Sequence, residues 1–137
     1  MDGAQLNAFL AREFPQISDD HRVERCDATG LLARLRISDA HLRPGGTISG
    51  PAMFALADVA IYCAILARIG PVALAVTTNA SIDFMRKPAA GRDLLAECRV
   101  LKLGRVLAVA EALIYSDGSP EPVARCSMTY SIPPQAA

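Results

Sequence analysis

A single carboxyl group, that of Asp58, interrupts the most apolar part of the chain, residues 51–69. A carboxylate held among apolar groups can act as a general base that takes a proton from water, or as a nucleophile that forms a transient covalent intermediate. It can also be structural, paired with a strand N–H or with Tyr62. The residues alone leave these three roles open.

Gly50 lies eight positions before Asp58, where the apolar segment begins. At the start of a helix, free N–H groups and the helix dipole can polarise a carbonyl and stabilise an oxyanion, and Pro51 leaves the Gly50 N–H in place. The alternative use of this glycine is a tight entry into the helix. Eight residues of helix span about 12 Å, so Gly50 and Asp58 of one chain cannot contact one small group. A two-fold dimer with antiparallel helices would bring Gly50 of one chain to Asp58 of the other.

The segment that carries Asp58 is predicted to be one helix, residues 51–69. Pro51 suits the first helical turn and Gly70 the stop. Residues 52–69 would extend about 27 Å as a helix, close to the thickness of a bilayer core. An unpaired Asp58 would then cost about 2.5 to 3.5 kcal/mol in the membrane. Because the helix is apolar on every face, we expect it to be enclosed by protein, with no membrane partner.

The other elements are predicted to enclose this helix. A surface helix over residues 5–13 ends at Pro15, and a hairpin over residues 23–37 turns at residues 28–30. Four strands follow, over residues 76–84, 94–103, 106–115 and 123–132, and short links suggest an antiparallel meander. We expect residues 1–137 to form a single domain with a frayed tail, residues 133–137. A curved sheet around one helix is the α+β hot-dog fold.

The loop and helix around Gly50 carry a spaced pattern of glycine, histidine and aspartate. It reads His41-x-Arg43-x-x-Gly46-x-x-Ser49-Gly50-Pro51, then Leu56-Ala57-Asp58. This resembles the H-x-N-x-x-G-x-x-H-G-G and L-x-D signature of the PaaI-like acyl-CoA thioesterases of the hot-dog superfamily. The resemblance continues through residues 84–88 and 101–105 and covers about residues 40–132. Arg43, Ser49 and Pro51 stand where the family has Asn, His and a second Gly.

The resemblance implies an enzyme that hydrolyses the thioester of a small aryl-CoA or medium-chain acyl-CoA. Asp58 would be the catalytic carboxylate, Gly50 would stabilise the oxyanion and Thr77 would position the attacking water. Thr78, the neighbouring residue, would point to the other face of its strand. The family also implies a homo-oligomer, a dimer or a tetramer built as a dimer of dimers. Coenzyme A is part of the substrate, so no cofactor or metal is expected.

Further residues are candidates for binding the substrate. Arg86, Lys87, Lys102 and Arg105 lie near strand ends, where they could meet the phosphates of coenzyme A or simply keep sheet edges soluble. Arg43 and Ser49 occupy family positions that orient the thioester, although Ser49 also suits a helix N-cap. Met53, Phe54 and Tyr62 are expected to line the acyl pocket.

Composition and charge argue against several other classes of protein. Fourteen basic and fourteen acidic residues cancel, so we do not expect a nucleic-acid partner. The apolar content of 52% favours self-association. Four cysteines, with no C-x-x-C pair, are expected to be small buried apolar residues: Cys26, Cys63, Cys98 and Cys126. The first residues lack the pattern of a signal peptide, which predicts a cytoplasmic protein.

Two other functions are compatible with the same fold. An acyl-thioester hydratase or dehydratase needs a histidine base near a carboxylate. The chain offers only His21 and His41, and Cys63 stands where one such family has its histidine. A non-catalytic acyl-CoA-binding protein usually lacks the helix carboxylate and carries a DNA-binding segment, whereas this chain retains Asp58. Both comparisons favour the hydrolase.

Overall fold

Six antiparallel strands form one sheet around a long apolar helix in the computed structural model, which describes residues 1–134. The helices are α1 (Gly3–Glu13), α2 (Pro15–Ser18) and α3 (Gly50–Ile69), with a 3-10 turn at Asp39–His41. The strands are β1 (His21–Asp27), β2 (Gly30–Leu35), β3 (Val76–Phe84), β4 (Leu94–Leu103), β5 (Leu107–Ser116) and β6 (Pro122–Ser131). This arrangement confirms the predicted α+β hot-dog fold. Part of the tail expected to be frayed, residues 135–137, lies outside the described residues.

Helix α3 begins and ends within one residue of its predicted limits. The Ser49 hydroxyl accepts a hydrogen bond from the Ala52 N–H at 3.2 Å, as expected of an N-cap. At the other end Gly70 has a φ of 92°, a conformation that glycine adopts without strain. The helix is long and apolar enough to cross a membrane, but 67% of its most apolar window is buried inside the protein. It is the core helix of this fold.

The order of the strands corrects the predicted meander. The sheet runs β1-β2-β4-β5-β6-β3, so of the four strands that follow α3 only β4, β5 and β6 are neighbours in both sequence and space. Strand β3 pairs with β6 at the far edge instead of with β4. The reason is the link between β3 and β4, residues 85–93, which is longer than a hairpin turn and lets the chain cross to the other part of the sheet. The predicted β1–β2 hairpin is present.

The N-terminal segment packs on the core as an amphipathic helix. Leu6, Phe9 and Leu10 of α1 are buried, as their spacing predicts. Pro15 does more than stop this helix, because it occupies the first turn of the short helix α2. Phe14 lies between the two helices with a φ of −136° and a ψ of 54°, which is neither helical nor extended. The chain therefore turns at Phe14, against the body of the protein.

Three of the four cysteines are buried in the core, as predicted: Cys63, Cys98 and Cys126. Burial raises the pKa of Cys63 to about 12, and burial, with the Asp58 charge as a smaller cause, raises the pKa of Cys126 to about 11. These thiols are therefore protonated at neutral pH and poor nucleophiles. Cys26 is only partly buried.

Candidate functional site

The carboxyl group of Asp58 is held by two hydroxyl groups that bind the same oxygen. Thr77 Oγ1 donates to Asp58 Oδ1 at 2.6 Å, and the Tyr130 hydroxyl donates to the same atom at 2.5 Å. Tyr130 also lies 3.2 Å from the Asp58 carbonyl oxygen. Within residues 1–134 no hydrogen bond is made to Asp58 Oδ2. One carboxylate oxygen is thus fixed, and the other is available for chemistry.

Sheet register explains why these two hydroxyls meet at Asp58. Thr77 of β3 and Tyr130 of β6 are directly paired across the two strands, so their side chains project from the same face of the sheet. That face covers α3, which carries Asp58 near its middle. Thr78 lies where the register shifts, and its hydroxyl bonds to the Thr129 carbonyl at 3.2 Å. The structure therefore places Thr77, and not Thr78, on the carboxyl group.

Tyr130 is a site residue that sequence reasoning missed. Its ring is buried, and burial, followed by the charge of Asp58, raises the pKa of its phenol well above the ordinary value. The phenol is therefore a neutral donor at physiological pH. The sequence of β6 offers one signal for Tyr130. Every second residue of this strand faces inward, and among these residues Tyr130 alone has a hydroxyl group, which needs a hydrogen-bond partner when buried.

Tyr62 does not fill the structural role proposed for it beside Asp58. Its hydroxyl donates to the Ala73 carbonyl at 2.9 Å. Its ring packs at 6.1 Å from the ring of Tyr130 and at 6.3 Å, edge-on, from Phe14. Tyr62 is therefore an aromatic link between the N-terminal turn and the residue that holds Asp58.

A cleft of about 540 Å³ opens over Asp58. Its floor comes from α3, β3 and β6, and one wall comes from the turn between α1 and α2. The lining residues are Glu13, Phe14, Gln16, Asp58, Val59, Tyr62, Ala73, Ala75, Val76, Thr77 and Tyr130. Of the residues predicted for the acyl pocket, Tyr62 is present. Phe54 lines neither this cleft nor the one described next; it is partly buried and packs on the core.

The N–H of Gly50 is free at the start of α3. The first N–H groups of a helix have no partner within the helix. Here the N–H of Ala52 is taken by the Ser49 hydroxyl and that of Met53 by the Ser49 carbonyl, and Pro51 has none. No hydrogen bond from the Gly50 N–H is present within residues 1–134. The Ser49 hydroxyl is used by the cap, so Gly50 supplies the N–H that a ligand can reach.

A second cleft, of about 720 Å³, opens beside Gly50. It combines apolar side chains with three cations, and its lining is Arg43, Pro44, Gly45, Thr47, Ile48, Gly50, Pro51, Met53, Phe84, Arg86, Lys87 and Pro88. A Cβ on Gly50 would lie 3.3 Å from the Phe84 ring, so the ring approaches the backbone closely. Arg86 is paired with Glu121 at 2.9 Å. Arg43 and Lys87 have no ion pair in the described part of the chain.

One chain does not bring Gly50 and Asp58 together, because the two residues line separate clefts. This agrees with the separation of about 12 Å expected for eight residues of helix. Lys102 and Arg105 are exposed at the β4–β5 hairpin and line neither cleft. The cations that one chain places beside Gly50 are Arg43, Arg86 and Lys87.

The loop that leads to Gly50 is anchored through His41. Its Nδ1 accepts from the Ser38 N–H at 2.9 Å, so the hydrogen is on Nε2, which donates to Asp20 at 2.9 Å. The His41 carbonyl accepts from the Ser49 N–H at 2.8 Å. Burial acts to raise the pKa of Asp20, but the hydrogen bonds and charges of His21 and His41 outweigh it and hold the pKa below its usual range. His41 therefore anchors the loop, and both histidines bind Asp20 outside the two clefts.

Comparison with known proteins relates the sequence and fold of this chain to thioesterases. The model of a family described as the thioesterase superfamily matches residues 45–123, more than half of the chain. A protein of Pseudomonas aeruginosa, provisionally named an esterase, is 35% identical over 86 residues; the match covers 63% of this chain and 64% of that protein. The chain therefore matches less than two thirds of the length of this relative.

Solved structures extend the similarity to nearly the whole chain. A provisionally named thioesterase from a Silicibacter species is 56% identical with a TM-score of 0.89, covering 98% of this chain and 93% of that one. A mutant of the phenylacetic acid degradation protein PaaI from Thermus thermophilus is 26% identical with a TM-score of 0.74, covering 87% and 99%. The zebra fish thioesterase superfamily member 2, 21% identical with a TM-score of 0.80 over 96% and 95%, shares the fold.

Proposed function

The chain belongs to the thioesterase superfamily as a PaaI-like hot-dog thioester hydrolase, and from this premise we propose that its substrates are acyl-CoA thioesters with a small aryl or medium-chain acyl group. The single observation that carries the proposal is the carboxyl group of Asp58, which lines a cleft, has Oδ1 bound by two hydroxyls and has no hydrogen bond to Oδ2 within residues 1–134. A carboxylate fixed on one side and open on the other is suited to attack or to activate water.

In the proposed reaction, the thioester lies between Asp58 of one chain and Gly50 of its partner in a two-fold dimer. The carbonyl oxygen accepts from the free Gly50 N–H, which stabilises the negative charge that develops on that oxygen. Asp58 Oδ2 takes a proton from water while the water oxygen bonds to the carbonyl carbon. The C–S bond of the resulting tetrahedral intermediate then breaks, and the thiolate of coenzyme A leaves and takes up a proton.

A second route uses the same atoms in another order. Asp58 Oδ2 attacks the carbonyl carbon, coenzyme A leaves, and water hydrolyses the mixed anhydride that remains. Both routes require an oriented carboxylate and a stabilised oxyanion. In both, Thr77 and Tyr130 hold Oδ1 and so aim Oδ2, which makes them positioning residues in this proposal.

The cleft beside Gly50 suits the coenzyme A part of the substrate. Its apolar surface, which includes Met53 and Phe84, can cover the pantetheine chain, and Arg43, Arg86 and Lys87 can meet the phosphates. The neutral acyl chain would occupy the smaller cleft over Asp58. Lys102 and Arg105 remain candidates only if another chain brings them to the substrate.

The positions of the histidines support hydrolysis over hydration. A hydratase needs a histidine base beside the carboxylate, whereas His21 and His41 both bind Asp20. Neither lines the cleft over Asp58.

The proposal is tested by incubating the purified protein with a panel of acyl-CoAs while a thiol reagent traps the released coenzyme A. We expect turnover of short and medium neutral acyl groups or aryl groups, with Asp58→Asn as the control that separates catalysis from contamination. Turnover that is equal in wild type and in Asp58→Asn, or absent with every acyl-CoA, would overturn the proposal.

A further inference from the structure

The cleft over Asp58 carries an unusual balance of charge. Its described lining contains two carboxyl groups, those of Asp58 and Glu13, and no lysine, arginine or histidine. The Gly50 cleft, in contrast, contains three cations. The two parts of the proposed substrate site therefore have opposite charge. The part that receives the acyl group should therefore discriminate between acyl groups by their charge.

Glu13 is the last residue of α1 and lines the cleft at the turn between α1 and α2. The turn is held by Phe14, whose ring meets Tyr62 edge-on at 6.3 Å. Tyr62 in turn packs on Tyr130, which binds Asp58. An unbroken series of aromatic contacts thus fixes the Glu13 segment relative to the catalytic carboxyl group. The segment lies outside residues 45–123, the part that matches the superfamily.

The charge of Glu13 acts on Tyr62, which lines the same cleft. Burial is the main cause that raises the pKa of Tyr62 to about 12, and the charge of Glu13 is one of the smaller causes. The ion partner of Glu13 is Arg12, at a long 3.4 Å, and the Arg12 guanidinium also lies over the Phe9 ring. With 44% of its side chain exposed, Glu13 is partly screened by solvent, so its effect on a ligand is moderate.

Resting on the proposed function, we propose that Glu13 selects the acyl group by its charge: the enzyme prefers neutral acyl groups to those that end in a carboxylate. A terminal carboxylate in this cleft would face Glu13 and Asp58, and no lysine, arginine or histidine of residues 1–134 lines the cleft to pair with it. Neutral aliphatic or aryl groups meet instead the apolar surface of Phe14, Val59 and Tyr62.

The test compares acyl-CoAs of equal chain length with and without a terminal carboxylate: butyryl against succinyl, valeryl against glutaryl, and hexanoyl against adipyl. We expect wild type to favour the neutral member of each pair in kcat/KM. Glu13→Gln should reduce this preference by about threefold to tenfold for at least one pair, and Glu13→Lys should reduce it further. Because Glu13 ends a helix, where negative charge is unfavourable, neither change threatens folding.

Glu97→Gln is the matched control, since Glu97 is an exposed acid that lines neither cleft of the proposed site. It changes the net charge by the same amount and should leave every ratio unchanged. A wild type that hydrolyses succinyl-CoA and butyryl-CoA equally, or ratios that Glu13→Gln does not move, would overturn the inference.

Binding separates this inference from the proposed function. The same pairs titrated calorimetrically into Asp58→Asn and into Asp58→Asn with Glu13→Gln report the preference without turnover. A preference for neutral acyl groups that weakens with Glu13→Gln supports the inference even if hydrolysis is never observed. Equal binding of both members of each pair contradicts it, whatever the rates show.

Discussion

The Tyr130 hydroxyl donates a 2.5 Å hydrogen bond to Asp58 Oδ1 from a strand 72 positions further along the chain. Thr77 binds the same oxygen. A carboxyl group in the middle of an apolar helix is thereby given a fixed orientation, and its second oxygen makes no hydrogen bond within residues 1–134.

Tyr130→Phe should keep the fold and lower kcat by about 10-fold to 100-fold, because a hydrogen bond to a charged group is lost while the ring still packs on Tyr62. Steady-state kinetics with the best acyl-CoA of the panel measures this. Tyr115→Phe, on a tyrosine that lines neither cleft of the proposed site, is the control and should leave kcat unchanged. A Tyr130→Phe enzyme as fast as wild type would remove Tyr130 from the site.

Gly50→Pro and Asp58→Asn should each be inactive alone but restore activity when the two chains are mixed and reassembled. Gly50→Pro removes the N–H and keeps a helical φ. In a mixed two-fold dimer, one site receives Gly50 from one chain and Asp58 from the other, both intact. Random mixing should give about a quarter of wild-type activity.

The mixing experiment has clear alternatives. Wild type should sediment as a dimer or larger, and each variant should assemble as wild type does. An active wild-type monomer, or a mixture as inactive as its parts, would place Gly50 and Asp58 outside a shared site.

The helix and the strands could be predicted from sequence because their signals are local. Helix α3 has no polar face and is bounded by Pro51 and Gly70, and strand alternation located β4, β5 and β6. The position of β3 could not be predicted, since pairing with β6 or with β4 depends on contacts far apart in the chain. The same holds for Tyr130, because nothing near it in sequence shows that its partner is Asp58.

The site was predicted in part for a similar reason. The resemblance to a known family suggested Gly50 and Asp58, whose spacing carries the pattern, and Thr77, which lines up with a hydroxyl residue of some family members. The N-terminal wall at Glu13 and Phe14 lies outside that pattern, and it reaches the cleft only because the turn between α1 and α2 packs on Tyr62. Among the predicted cations, Arg43 and Arg86 line a cleft and Lys102 and Arg105 do not.

Arg43→Ala and Lys87→Ala should raise the KM for acyl-CoA with a smaller effect on kcat, because phosphate contacts bind substrate and transition state alike. The rise should shrink at high salt, since exposed charges are screened beyond about 10 Å at 0.1 M. Arg105→Ala, measured in the same way, tests whether the β4–β5 hairpin binds the substrate. An equal rise in KM would place Arg105 in the binding site, whereas an unchanged KM would mean that Arg105 only keeps the sheet edge soluble.

Asp20→Asn should destabilise the protein near neutral pH and lose its effect in acid. Because the folded-state pKa of Asp20 is below its ordinary value of 3.8, the stabilisation is present above that value and disappears as the pH falls through the folded pKa. The difference in melting temperature between wild type and variant, measured from about pH 7 to pH 3, tests this. Asp19→Asn, on the exposed neighbour, is the control and should melt close to wild type at every pH. A difference in melting temperature between wild type and Asp20→Asn that is constant across pH would contradict the pairing of Asp20 with His21 and His41.

Turnover and thermal melting, measured together for wild type and Asp58→Asn, decide whether the Asp58 carboxylate performs the chemistry. Asparagine has nearly the same shape and can still accept from Thr77 and Tyr130, so the variant should fold and assemble normally. It should lose on the order of 10² to 10⁴ in kcat, the usual worth of a positioned base. A variant that melts early while its activity per folded molecule stays intact would instead show that Asp58 is structural and takes no part in the chemistry.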